Sequence, residues 1–155
     1  MEELRRSGHA ALRKGRVSIG NTAYLVTATT TERRPLFTDF QAACAAARCF
    51  EAAEVQAADR MLAWVLMPDH AHWLIQLSEH GDLSELVGRL KSASARHANR
   101  SLGRHGPLWA RAFHDHALRA EADLRATARY IVANPLRAGL VKRIGDYPFW
   151  NAVWL

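Results

Sequence analysis

Two short stretches hold the residue types from which phosphoryl chemistry can be built. In Asp69-His70-Ala71-His72-Trp73-Leu74-Ile75-Gln76-Leu77 the histidines are two apart. Alternate side chains of a strand share a face, so both imidazoles project together and can grip one ion. The opposite face carries Ala71, Trp73, Ile75 and Leu77, all apolar, which assigns it to the main core. The histidine face adds Leu74 and Gln76 and is expected to be half covered. Exposed strand histidines are common, so the pair needs partners. Imidazole favours Mn, Fe, Ni or Zn, and a hard divalent ion is accommodated where phosphate oxygens fill the remaining positions.

The second stretch is a helix read over Glu121 to Asn134 and ended by Pro135, because the residue before proline is pushed out of helical geometry. Leu124, Ala128 and Ile131 form its anchoring stripe, and Asp123, Ala126, Tyr130 and Asn134 form another. Tyr130 lies about 100° from Ile131 around the axis, with small Ala126 leaving space before it, so its phenol can reach something other than the core. A phenol is an oxygen nucleophile able to attack phosphorus, and a nearby ion can draw charge from the non-bridging oxygens. With a free pKa near 10, only about one tyrosine in a thousand is ionised at neutral pH, so such a site must orient the phenol or lower its pKa. Asn134 offers a neutral amide oxygen that could complete the coordination of an ion held by the two imidazoles. The phosphotyrosine ester would conserve the energy of the broken bond, allowing a free 3′-hydroxyl to displace Tyr130 later.

Positioning these groups requires a sheet and at least one helix across it. Tyr24 to Thr30 reads as a strand from its β-branched and aromatic residues. Glu32 to Leu36 reads as a loop, and Thr38 or Asp39 can cap an Ala-rich helix running to about Ala58. Met61 to Met67 and His70 to Leu77 flank the turn Pro68-Asp69 and should pair as a hairpin. Leu83 to about Asn99 is a helix with Leu83, Leu86, Val87, Leu90 and Ser94 inward. On its other side Arg96 and Arg100 each fall within about 20° of Arg89, and the three form a basic rail. Leu108 to Leu118 contains a fourth strand, and the aromatic tail from Tyr147 packs back on the body. The order strand, helix, strand, strand, helix, strand, helix predicts an α+β fold: a ferredoxin-like antiparallel sheet with an additional C-terminal helix carrying the tyrosine.

The chain has 155 residues, 49% of them hydrophobic and 23% charged, which suits one domain of ordinary globular composition spanning residues 1–155. No apolar run approaches a membrane span, and residues 1–16 are charged where a secretory leader would be apolar; a cytoplasmic protein is expected. Cys44 and Cys49 are too few and wrongly spaced for a zinc cage or disulfide framework and read as reduced core thiols. Charge is uneven along the chain. Residues 61–88 hold four acids and no Lys or Arg, whereas residues 89–143 hold twelve basic and three acidic residues. A field of that density attracts phosphodiester backbones without reading sequence.

Further motifs accompany these two. His70-Ala71-His72 sits inside Met67-Pro68-Asp69-His70-Ala71-His72-Trp73-Leu74, and Tyr130-Ile131-Val132-Ala133-Asn134-Pro135-Leu136-Arg137-Ala138-Gly139-Leu140-Val141 follows the tyrosine. Gly106-Pro107-Leu108-Trp109, His114-Asp115-His116-Ala117-Leu118-Arg119 and Tyr147-Pro148-Phe149-Trp150 complete the set. In this order, from about Leu12 to Leu155, the chain closely resembles the REP-associated tyrosine transposases, relatives of the single-tyrosine HUH transposases.

The resemblance implies an HUH domain that binds single-stranded or hairpin DNA, REP-like imperfect palindromes with a short flanking tetranucleotide. It implies cleavage dependent on a divalent metal, Mg²⁺ or Mn²⁺, leaving a 5′-phosphotyrosine. Tyr130 would be the nucleophile, and His70, His72 and Asn134 the ligands; relatives more often place Gln where Asn134 stands. It also implies action on repeats scattered through a bacterial chromosome; a nucleoid-associated monomer or homodimer is expected.

The expected phosphate contacts are Arg89, Lys91, Arg96 and Arg100, then Arg111, Arg119 and Arg137, with Arg13, Lys14 and Arg16 in a basic N-terminal arm over residues 1–20. Such contacts position rather than specify. Trp109 could stack on an extruded base, although the sequence favours a core role for it. His114, Asp115 and His116 belong to the resembling pattern without an assigned role. Two other function classes compete with a strand-cleaving enzyme: a hairpin-DNA module that binds without cutting, as a repressor or architectural protein, and a metal-dependent hydrolase of small phosphoesters.

Overall fold

The computed structural model describes residues 18–154; Arg13, Lys14 and Arg16 of the expected arm lie outside the described residues. Five strands, β1 (Ala23–Thr29), β2 (Arg60–Met67), β3 (His70–Gln76), β4 (His114–Leu118) and β5 (Trp150–Ala152), form one sheet in the order β4-β1-β3-β2-β5. Every pairing is antiparallel. The helices are α1 (Phe40–Ala47), α2 (Ala53–Gln56), α3 (Leu83–Leu102), α4 (Glu121–Val132) and the single turn α5 (Asn134–Arg137). The first four strands with α1 and α3 are the expected ferredoxin-like arrangement.

Alternation along the strands separates two cores. Tyr24, Val26 and Ala28 of β1 join Ala71, Trp73 and Ile75 of β3 in a large cluster under α1 and α3. The face turned the other way contributes Val65, Met67 and Leu74 to a smaller cluster with Ala128, Ile131 and Val132 of α4. The tyrosine helix therefore lies on the histidine face of the sheet, opposite the two crossover helices. Caps set the helix starts: the Asp39 carboxylate accepts from the Ala42 amide and the Asp82 carboxylate from the Glu85 amide. Helix α3 stops at Gly103, whose φ of 64° is a left-handed conformation that glycine adopts without steric cost.

Three departures from the sequence reading have physical causes. The helix expected to run to Ala58 ends at Ala47, because the chain turns to drive Phe50 into the core, where its ring meets Trp64 at 5.2 Å and Trp73 at 5.3 Å. Pro135 does more than end a helix: α4 stops at Val132, and the proline sits in the first turn of α5, where its missing N–H costs no hydrogen bond. The tail packs back as expected, but as a strand, β5, that extends the β2 edge. Cys44 and Cys49 are free thiols. Among the described residues no helix is long and apolar enough to cross a membrane.

Candidate active site

The histidines stand at the start of β3, directly after the Pro68-Asp69 turn. Register pairs His70 with Thr29 and Met67, and His72 with Thr27 and Val65, so both imidazoles share the face that α4 covers in part. The ring centroids are 5.0 Å apart with planes at 81°. Each Nδ1 has a partner. His70 Nδ1 lies 2.7 Å from Asp69 Oδ1, and His72 Nδ1 lies 2.8 Å from Thr27 Oγ1. Among the described residues neither Nε2 has a hydrogen-bond partner. An Nδ1–H donated to these partners leaves the Nε2 lone pair free to ligate, and the contacts fix the ring planes.

Electrostatics favour the same state. Burial above all, then the charges of His70, Arg137 and Arg33, push the His72 pKa down to about 4, keeping its imidazole neutral. For Asp69, burial works against ionisation. The hydrogen bond and charge of His70, with Arg33 Nε at 3.1 Å from Oδ2, outweigh it and hold the carboxyl below its ordinary pKa.

A divalent cation fits this donor set through two oriented imidazoles, with open positions left for oxygen ligands. Among the described residues there is no group of three or more His, Cys, Asp or Glu that could hold an ion alone. Among the described residues, a further ligand must be neutral or must arrive with a substrate. Asn134 is the neutral candidate: it begins α5 and its Oδ1 accepts from Arg137 Nη2 at 2.9 Å. An amide oxygen has a second lone pair, so this bond does not preclude ligation.

Tyr130 is 63% exposed, as expected for a residue off the anchoring stripe of α4. The guanidinium carbon of Arg137 lies 3.8 Å from the centroid of its ring. Thr27 and Asp69, which orient the histidines, were not singled out from sequence. Asp69 could have been, because it adjoins His70; Thr27 could not, because the β1–β3 register is invisible in one sequence.

The remaining site expectations divide. Arg96, Arg100, Arg111 and Arg119 are exposed. Arg89 and Lys91 are tied into the fold: Arg89 Nε donates to the Val55 carbonyl at 2.8 Å, and Lys91 Nζ donates to the Ala110 carbonyl at 2.8 Å and that of Ala112 at 3.1 Å. Arg89 therefore drops out of the expected rail, and Lys91 serves as a clamp rather than a free phosphate contact. Trp109 is a core residue rather than a stacking platform. It is 5% exposed, its Nε1 donates to Ser94 Oγ at 2.9 Å, and its ring packs on Phe37 and Trp73. His114 pairs with Thr27 and His116 with Leu25, so both share the face of His70 and His72, while Asp115 turns the other way.

The family model described as "Transposase IS200 like" matches residues 18–134, most of the chain. This chain belongs to the IS200-like transposase family. Within that family it is similar to the REP-associated tyrosine transposase of Escherichia coli K12, 33% identical over 87 residues, and to one of that name in Haemophilus influenzae, 32% identical over 94 residues. The matches cover 56% and 54% of this chain, and the chain spans about half the length of these relatives, 50% and 53%. Among solved structures it resembles a REP-associated tyrosine transposase bound to a REP hairpin, with TM-score 0.67, 27% identity, and coverage of 87% of this chain and 79% of that one. A protein described as a transposase from Deinococcus radiodurans shares the fold, with TM-score 0.54, 22% identity, and coverage of 77% and 95%. The family resemblance read from the motifs is therefore borne out.

Proposed function

We propose that this IS200-like transposase is a single-strand DNA transesterase that acts on REP-type hairpin DNA through a 5′-phosphotyrosine at Tyr130. A divalent cation, Mg²⁺ or Mn²⁺, would be held by His70 and His72 and completed by Asn134. The observation that carries the reading is the pair of imidazoles fixed through Nδ1 on the face beneath the helix that bears the exposed Tyr130. The hairpin preference comes by similarity from the relative solved with a REP hairpin.

In this reaction the Tyr130 Oη attacks phosphorus and gives its proton to solvent, the new O–P bond forms, and the P–O3′ bond breaks with a proton taken up on O3′. Reversal by another 3′-hydroxyl rejoins strands without ATP. When bound, the cation supplies charge stabilisation to the non-bridging oxygens. The chain does the rest. His72 stays neutral, both imidazoles are held in orientation, α4 presents the phenol, and exposed Arg96, Arg100, Arg111 and Arg119 hold the flanking backbone. In-line placement of the nucleophile is worth several kcal/mol of the barrier.

The test is incubation of labelled hairpin DNA carrying a single-stranded flank with Mg²⁺ or Mn²⁺. A covalent adduct stable to denaturing gels, mapped to Tyr130 by mass spectrometry and lost in Tyr130→Phe, is expected. Hairpin binding with no adduct under either metal would replace the proposal with the non-cleaving module. Turnover of small phosphoesters with salt-insensitive kinetics would replace it with the hydrolase.

A further inference from the structure

Tyr130 is placed on an open helix face with most of its ring in solvent, which raises the question of what aims it. Exposed side chains hop between rotamers in picoseconds to nanoseconds. A displacement of about 1 Å at a reacting group can cost about 100-fold in rate. We propose that Arg137 is a positioning residue for strand cleavage, holding the Tyr130 ring and the Asn134 amide in one arrangement rather than gripping a DNA phosphate. The proposal rests on the strand-cleaving reading given above.

Arg137 is tied at three points. Its guanidinium carbon stands 3.8 Å from the centroid of the Tyr130 ring, a cation–π stacking distance. The two hydrogens of its Nη2 are directed at the Tyr130 carbonyl, 2.7 Å away, and at Asn134 Oδ1, 2.9 Å away. One planar group thus covers the ring face, satisfies a carbonyl left without a partner where α4 ends, and fixes which way the amide oxygen points. Helix C-termini favour a cation electrostatically.

The break between the helices makes this possible. Helix α4 stops at Val132, Pro135 opens α5, and Arg137 is its last residue. The turn folds a side chain from seven positions later back over the ring. Lysine could supply the charge but neither the flat face nor the rigid fork that reaches two oxygens at once.

A phosphate contact and a positioning clamp differ in what they change. Losing a phosphate contact weakens DNA binding and lowers the salt slope by about one, leaving the rate of the bound complex alone. Losing a clamp leaves binding alone and slows the bound complex. Single-turnover cleavage at saturating hairpin DNA with Mn²⁺, DNA affinity across a salt series, and side-chain NMR of the arginines in the free protein read both.

For Arg137→Ala the expected result is a 10–100-fold slower cleavage rate with DNA affinity within about threefold of wild type and an unchanged salt slope. Arg137→Lys should recover little of the rate. In the free wild-type protein the Arg137 side-chain signals should be shifted upfield by the ring current, and Tyr130→Leu should abolish that shift. Affinity and salt slope lost with the saturating rate intact, full recovery by lysine, or absence of the ring-current shift would each overturn the proposal. The two failures are distinguishable. A wild-type protein that forms no adduct sinks the strand-cleaving reading and the proposal with it, whereas an active wild type matched by Arg137→Ala sinks the proposal alone.

Discussion

Thr27 Oγ1 lies 2.8 Å from Nδ1 of His72, across the β1–β3 ladder. When this hydroxyl accepts from Nδ1–H, Nε2 is left as the ligating nitrogen. Thr27→Val keeps the shape and β propensity but removes the acceptor. Cation affinity, followed by Mn²⁺ titration, should fall about 10-fold or more, while hairpin binding in the absence of metal stays unchanged. Equal Mn²⁺ affinity in both proteins would show that the hydroxyl does not orient the ring.

His70 is partly buried, 18% exposed at its side chain. His70→Ala should abolish the covalent adduct and spare most hairpin binding, since the proposed phosphate contacts are arginines elsewhere. Parallel loss of both activities would make His70 a structural residue.

Acid should destabilise the protein through His72. Its folded pKa of about 4 lies below the ordinary 6.5, so between these values the unfolded chain binds the extra proton and stability rises with pH. The contribution is complete above about pH 6.5 and is lost as pH falls toward 4, up to about 3 kcal/mol across the window. Urea melts of wild type and His72→Gln over this range should diverge in slope. Parallel curves would mean that His72 titrates normally.

Basic residues of helix α3 and the following loop should separate into two kinds. Lys91→Met leaves the carbonyls of Ala110 and Ala112 without their donor and should cost about 1–3 kcal/mol of stability with no change in the salt slope of DNA binding. Arg100→Ala, on the exposed side, should leave the melting temperature alone and reduce that slope by about one. The reverse pattern would return Lys91 to the DNA surface.

Much of this site was readable because strands alternate. His70 and His72 on one face, with Ala71, Trp73 and Ile75 on the other, follows from a period of two. The position of Tyr130 off the Leu124-Ala128-Ile131 stripe follows from a period of 3.6 in the same way. What stayed hidden depends on residues distant in sequence. Arg89 reads as part of a basic rail until the Val55 carbonyl is found beside it, and Lys91 until the 110–112 backbone curls under its ammonium. Trp109 reads from sequence more as core than as a base platform, and the Ser94 hydroxyl that receives its N–H bears the core reading out. The break after Ala47 was invisible because an alanine-rich run carries no stop signal, and β5, three residues long, is too short to show a period. The Arg137–Tyr130 stack spans the Pro135 turn, where helical spacing no longer says which side chains meet.

A two-residue turn joins β2 to β3, and the one irregularity in their pairing falls at the far end, between Met61 and Ala63. No slack is left near the imidazoles. One extra or missing residue at Pro68-Asp69 would invert β3, moving Trp73 to the half-covered face beneath α4 and both imidazoles into the main core. Insertions in this family should therefore crowd into other loops, and engineered variants of this hairpin should tolerate changes of residue type but not of length.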